Sequence, residues 1–161
     1  LPTEKHIEKL CEDLKGTDTL VIISADHGHK DIGKVYDLLE YPEIQDCLIM
    51  PASLESRTVA LWVKDDKRGE FEKIFEFFSS EDEKFSKEFL LLTKEEVLEK
   101  HLLGYGNKHK KIDDFIGNYL AISISDSIIR LQTYLADGKP VKKSTHCGLT
   151  NDEMEVPLIL I

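Results

Sequence analysis

The sequence has no apolar run approaching the roughly 20 residues that a membrane-spanning helix needs, so no such helix is expected within it. It has no excess of basic residues either. Lys and Arg total 21 against 31 Asp and Glu, for a net charge of -10. That balance excludes a protein that binds nucleic acid by neutralising phosphates, and it disfavours docking on an anionic membrane surface. Its three cysteines, Cys11, Cys47 and Cys147, are too few and too scattered for a disulfide framework and match no structural zinc spacing. They read as reduced thiols of a cytoplasmic protein. No signal-peptide pattern occurs at Leu1-Pro2-Thr3-Glu4-Lys5. With no Met in front, Leu1 is expected to be a boundary inside a longer polypeptide. Internal repeats and low-complexity tracts are also missing. What remains is a 161-residue chain, 41% apolar, which is enough for one ordinary domain with a core.

Hydrophobic periodicity predicts the elements. Ile7, Leu10, Cys11 and Leu14 recur at helical spacing over Thr3 to Lys15, with Thr3 as N-cap and Gly16 as stop. Thr19 to Ser24 is a β-branched run expected as a strand buried on both faces. A helix followed by such a strand predicts an α/β layered fold with a mainly parallel sheet. Val35 to Glu40 reads as helical or irregular, and Cys47 to Met50 as a strand stopped by Pro51. Thr58 to Lys64 alternates, with Val59, Leu61 and Val63 on one side and Ala60 and Trp62 on the other. Lys67 to Phe78 reads as a helix, Phe89 to Leu92 as a strand, and Thr93 with Glu96 as a capping box opening a helix that runs to about His101. Two strands joined by a tight turn are expected at Tyr119 to Ser123 and Ser127 to Leu131. A turn is expected at Asp137 to Pro140, one helical turn at Asn151 to Glu155, and a closing strand at Pro157 to Ile161.

The chemistry-bearing residues follow the first of these strands directly, as Asp26-His27-Gly28-His29. Functional groups gather beyond the C-terminal ends of strands in open α/β sheets. An Asp and a His placed there can hold a divalent ion through oxygen and nitrogen, while Gly28 lets the backbone turn sharply. A strand-end turn, with Asp26 bonded to backbone and His27 merely nearby, explains the same four residues equally well. His146 follows a second turn and, taken alone, reads more readily as a surface residue. Thr150 and Glu153 form a capping box without any chemistry.

The stretch Thr17-Asp18-Thr19-Leu20-Val21-Ile22-Ile23-Ser24-Ala25-Asp26-His27-Gly28 resembles the D-T, hydrophobic strand, S-x-D-H-G signature of the nucleotide pyrophosphatase and phosphodiesterase branch of the alkaline phosphatase superfamily. The tail from His146 through Glu153-Met154-Glu155-Val156-Pro157-Leu158-Ile159 is similar to that branch's H-G-G-x-(S/T)-x-x-E-M-x-V-P-L-I ending. Ile112 to Ile122 is a weaker element of the same kind. The resemblance implies an α/β fold, part of an alkaline phosphatase-like layered sheet formed by 1–45 and 101–161, with a small α+β subdomain inserted at 46–100. It implies two divalent metal ions, zinc with manganese as the alternative. Asp26 and His27 would hold one ion and His146 the other. It also implies a Ser or Thr nucleophile and further ligands upstream of this chain, so the upstream half of the same polypeptide is an expected partner. The activity implied is hydrolysis of a small phosphate-ester substrate. Sulfatase or phosphonate chemistry, or a non-catalytic binding domain, are the alternatives. The 161-residue chain alone is expected to bind zinc weakly and to show no turnover.

Cys147 stands where the family pattern has Gly, either as a small residue that fits or as a stray ligand. His29, His6, His101, His109 and the basic cluster from Lys108 to Lys111 read as solvated, and Arg57 as at most a salt-bridge partner.

Overall fold

The computed structural model describes residues 2–77, 85–131 and 142–161. The expected turn at Asp137 to Pro140, and Phe78 at the end of its helix, lie outside the described residues. Helix α1 spans Pro2–Leu14 and is followed by Gly16 at φ 85, a left-handed turn that glycine takes without a Cβ penalty. Strand β1, Ile22–Ser24, leads to β2, Lys30–Asp31, and β3, Lys34–Asp37. Helix α2 is Pro42–Cys47, β4 Ser53–Glu55, β5 Thr58–Leu61 and α3 Arg68–Phe77. Then come α4, Phe85–Glu88, β6, Phe89–Thr93, and α5, Lys94–Glu99, opened by the capping box of Thr93 and Glu96. Strands β7, Tyr119–Ser123, and β8, Ser127–Arg130, precede β9, Ser144–Thr145, helix α6, Asn151–Met154, and β10, Leu158–Leu160.

The main sheet runs β4-β5-β7-β6, antiparallel throughout. It draws three strands from 53–93 and its fourth from 119–123. The alternation read from Thr58 to Lys64 maps onto its two faces. Val59, Leu61 and Val63 pack with Phe71, Phe75, Ile44, Tyr36 and Ile129, under α2 and α3. Ala60 faces the opposite cluster of Leu92, Val97, Ile116, Leu120 and Ile122, with Trp62 and Leu149 against it. Because both faces are covered, β7 is buried at every position. The Tyr119 hydroxyl donates to Glu72 Oε1 at 2.6 Å and ties α3 to the sheet.

Four expectations are corrected. Pro42 opens a helix at its first position, so Cys47 ends α2 and only Leu48 makes a β-bridge, to Val63. Lys34–Asp37 is a strand, parallel to Ser127–Arg130, before a 3-10 turn over Leu38–Glu40. Strands β7 and β8 do not pair with each other: β7 lies in the main sheet and β8 beside β3. A tight turn between two strands permits a hairpin but does not choose it over better-buried neighbours. Finally, β1 is not buried and not in a parallel sheet. It pairs antiparallel with β10, matching Ile22 to Leu160, Ile23 to Ile159 and Ser24 to Leu158. Ile22 is 61% exposed, Leu158 69% and Ile159 45%. Leu158 and Ile159 point to opposite faces of the ribbon, so neither face is fully covered, though Ile23 beside Ile159 is half-buried. An apolar run states which environment suits it; among the described residues no layer supplies that environment. Among the described residues, only β3 and β8 pair in parallel.

Candidate metal and active site

The β1–β10 ribbon delivers the chain to Asp26 at the point where β1 ends. Beyond the Asp-His-Gly-His turn, β2 pairs antiparallel with β9, with Lys30 opposite Thr145 and Asp31 opposite Ser144. One step further along that register sets His29 across from His146. The two motifs, far apart in sequence, therefore meet through a two-residue ladder.

Gly28 makes the approach possible. A Cβ there would sit 1.8 Å from the Asp152 carbonyl oxygen, and the Gly28 N–H donates to the Glu153 carbonyl at 2.9 Å. Only a residue with no side chain lets the turn rest on α6. Lys30 adds an ion pair to Asp152 at 2.6 Å, which holds its ammonium in the charged form above the ordinary lysine range.

Three imidazoles converge. The His27 and His146 rings stack with centroids 4.0 Å apart and planes 12° from parallel. His29 lies tilted against both, at 5.5 Å from His27 and 5.3 Å from His146. His27 Nδ1 is 2.8 Å from the Gly28 carbonyl. A carbonyl only accepts, so Nδ1 carries a proton, and in the neutral ring the Nε2 lone pair is the one open to a metal. That nitrogen lies 3.6 Å from Asp26 Oδ2. Two ligands of one tetrahedral zinc, each about 2.0–2.1 Å from it, stand roughly 3.3 Å apart. Asp26 and His27 are thus close to the separation that sharing one ion requires, and the bond from Nδ1 to Gly28 is the kind of outer contact that orients a ligating imidazole. His146 Nδ1 is 3.0 Å from Cys147 Sγ, a contact in which the ring tautomer sets which of the two donates. Among the described residues, no three His, Cys, Asp or Glu side chains are placed to hold a single ion. The Asp26 side chain is 89% exposed, so this edge of the molecule is open.

Cys147 has φ 82, a left-handed conformation rare for a residue with a Cβ. Its carbonyl accepts a hydrogen bond from Thr58 Oγ1. Burial pushes its thiol pKa up, and Glu55 and Glu153 add to that, so the thiolate form is disfavoured. The other histidines stand apart: His101 stacks on Tyr105, and His109 Nδ1 accepts from the Lys111 N–H. A surface depression of about 560 Å³, lined by Lys94, Glu95, Leu98, Glu99, Lys108 and Asp113, includes none of the site residues.

Arg57 reads in the sequence as at most a salt-bridge partner, and the structure buries it completely. Its Nε donates to Glu153 Oε1 at 2.6 Å and its Nη2 to Glu153 Oε2 at 2.7 Å. Its remaining donors reach the Ser127 carbonyl at 3.1 Å and the Ser125 carbonyl at 2.7 Å. Glu153, 3% exposed, also accepts from the Gly148 N–H at 2.7 Å and the Thr150 hydroxyl at 2.6 Å. Burial alone would raise the Glu153 pKa, but the hydrogen bonds from Arg57, Thr150 and Gly148 outweigh it and hold the carboxyl below its ordinary range. The capping box was legible in sequence. The Arg partner, 96 residues away, carried no local signal.

No family model matches the chain, and no curated protein matches it. Solved structures do match. Phosphonoacetate hydrolase from Sinorhizobium meliloti 1021, in complex with phosphonoformate, superposes at a TM-score of 0.65 with 16% identity over 98% of this chain. The chain shares the fold of the part of that hydrolase it matches, an alkaline phosphatase-like α/β arrangement. Human ectonucleotide pyrophosphatase/phosphodiesterase 5 superposes at 0.61 with 16% identity over 99% of the chain. The chain spans 39% of the length of each of these two proteins. Among the described residues, no helix is long and apolar enough to cross a membrane.

Proposed function

We propose that this chain is the C-terminal part of a metal-dependent hydrolase of phosphate esters, with Asp26 and His27 holding one divalent ion and His146 the second. The observation that carries the reading is the stacking of His27 on His146 at 4.0 Å, with the Asp26 carboxylate 3.6 Å from His27 Nε2. Two-ion sites place their ions about 3.5–4 Å apart, so ligands for neighbouring ions must stand side by side as these rings do. When bound, such ions supply Lewis-acid stabilisation of the phosphoryl oxygens. The chain's own part is to fix the donors: the ladder between β2 and β9 sets the register, and the Gly28 carbonyl fixes the His27 tautomer. Zinc suits this donor set, with manganese as the alternative. A nucleophilic Ser or Thr hydroxyl and the remaining ligands would come from the upstream half of the polypeptide. That half would also cover the bare apolar ribbon of Ile22, Leu158, Ile159 and Leu160, whose exposure on both faces calls for a packed partner.

The test is hydrolysis of bis-p-nitrophenyl phosphate by the full-length protein with added zinc or manganese, beside His27→Ala. Metal-dependent turnover that collapses in the variant supports the proposal. The likeness to phosphonoacetate hydrolase favours phosphonate hydrolysis as the second reading. Metal binding with release of phosphate from phosphonoacetate, and none from the diester, would select it. Metal binding with no turnover on diester, monoester, sulfate ester or phosphonate would leave a non-catalytic domain. Failure to bind any divalent ion would refute both enzymatic readings.

A further inference from the structure

Glu153 touches both halves of the site with different parts of itself. Its backbone carbonyl receives the Gly28 N–H, next to His27. Its side chain receives the Gly148 N–H, two residues after His146. Both Gly28 and Gly148 rest against this residue or its neighbour: a Cβ on Gly148 would stand 2.7 Å from Glu153 Oε2 and 2.6 Å from Arg57 Nη2. Glu153 is thus where the Asp-His-Gly turn and the His146 loop are fastened to each other. A buried carboxylate needs a counter-charge, and Arg57 provides it from the turn between β4 and β5. The guanidinium fork meets both carboxylate oxygens, a match that a lysine cannot make.

We infer that the buried Arg57–Glu153 pair is a positioning device that sets the spacing of His27 and His146, and through them the two-ion geometry of the site. The inference rests on the proposed function above for its metal consequence, though not for the ring geometry. Two features separate this from generic cement. The pair reaches one ligand motif through a side chain and the other through a backbone carbonyl, so a side-chain substitution releases only one of them. The released one is the His146 loop, whose Gly148 and Thr150 donors converge on the carboxylate. In Glu153→Gln the new amide donors would face Arg57 or Thr150, while the Gly28 contact to the main chain stays.

The experiment compares the full-length wild type, Glu153→Gln and Arg57→Lys by zinc titration calorimetry and by the absorption spectrum of bound cobalt. His27→Ala and His146→Ala assign the two ions, and circular dichroism at the assay temperature verifies folding. Outer contacts of this kind are worth roughly 10–100-fold in metal affinity. The expected result is a loss of about tenfold or more for the His146 ion, with the Asp26–His27 ion unchanged. In the metal-free protein, the nuclear Overhauser contact between the His27 and His146 rings should vanish in Glu153→Gln while amide resonances of the main sheet hold. Parallel weakening of both ions, or a ring contact that persists, overturns the inference. If the wild type binds no metal, the proposed function fails, and the ring contact still decides the positioning role. If Glu153→Gln does not fold, Arg57→Lys carries the same comparison. If neither folds, the pair is a folding element and the positioning role is overturned.

Discussion

Replacing Arg57 with Met isolates the energetics of the buried pair. The substitution keeps much of the side-chain length and removes the charge. It deletes two charge-assisted bonds of 2.6 and 2.7 Å to Glu153, and it takes donors from the Ser125 and Ser127 carbonyls. Glu153 is left almost fully buried without a counter-charge. Breaking one side of such a pair costs about 3–5 kcal/mol, against a total stability on the order of 5–15 kcal/mol for a domain. With a urea m-value of roughly 2 kcal/mol/M, the unfolding midpoint should fall by about 1.5–2.5 M. The sign of the pH dependence is a second check. Without Arg57, only the Thr150 and Gly148 bonds oppose burial, so the folded pKa of Glu153 rises relative to wild type. The folded variant then holds its proton to higher pH than the folded wild type, so the stability gap between them widens as pH rises. The deficit relative to wild type should therefore be larger at pH 8 than at pH 3. The third check is the double variant Arg57→Met with Glu153→Leu, which buries no charge. Because an apolar replacement of a whole pair is often near neutral, its loss should fall short of the sum of the singles by at least about 2 kcal/mol. Urea unfolding followed by circular dichroism measures all three. A loss under about 1 kcal/mol for Arg57→Met, or strict additivity in the cycle, would refute the reasoning.

Gly28→Ala places a Cβ 1.8 Å from a backbone oxygen of Asp152; it should cost about 3 kcal/mol and weaken zinc binding, and an unchanged melting temperature would contradict the close approach. Cys147→Gly relieves a left-handed φ of 82. The relief is about 1–2 kcal/mol, partly offset by about 0.5–1 kcal/mol of glycine entropy, so thermal unfolding should shift upward slightly; a downward shift would mean the thiol contributes packing that outweighs strain. Glu153, Glu88 and Glu96 all have carboxyl pKa values held below the ordinary 4.5, Glu153 and Glu88 by hydrogen bonds that outweigh burial, and Glu96 chiefly by the backbone and hydroxyl of Thr93. Groups with depressed folded pKa values contribute stability above the unfolded value and lose it as pH falls through the folded one. Stability should therefore decline from about pH 4.5 downward, and a flat profile between pH 5 and 3 would count against these contacts.

Local chemistry was legible wherever one segment sets its own structure. The Thr93–Glu96 and Thr150–Glu153 capping boxes formed as spaced, because donor and acceptor lie three residues apart and need no other part of the chain. The alternation of Val59, Ala60, Leu61, Trp62 and Val63 assigned each residue to its face, because strand periodicity is a property of the backbone. Asp26, His27 and His146 came together as a group only through the resemblance of their two motifs to a family pattern, since His146 taken alone reads as a surface residue. Only the tertiary structure decided the partners. It placed His29 opposite His146 through the short ladder of β2 and β9, gave Arg57 to Glu153, and sent β7 and β8 to different sheets. It also left Ile22, Leu158 and Ile159 exposed despite their apolar pattern. A side chain's own chemistry states what surroundings it suits. Which distant segment supplies them depends on the summed burial and hydrogen bonding of the whole chain, and no single stretch of sequence contains that sum.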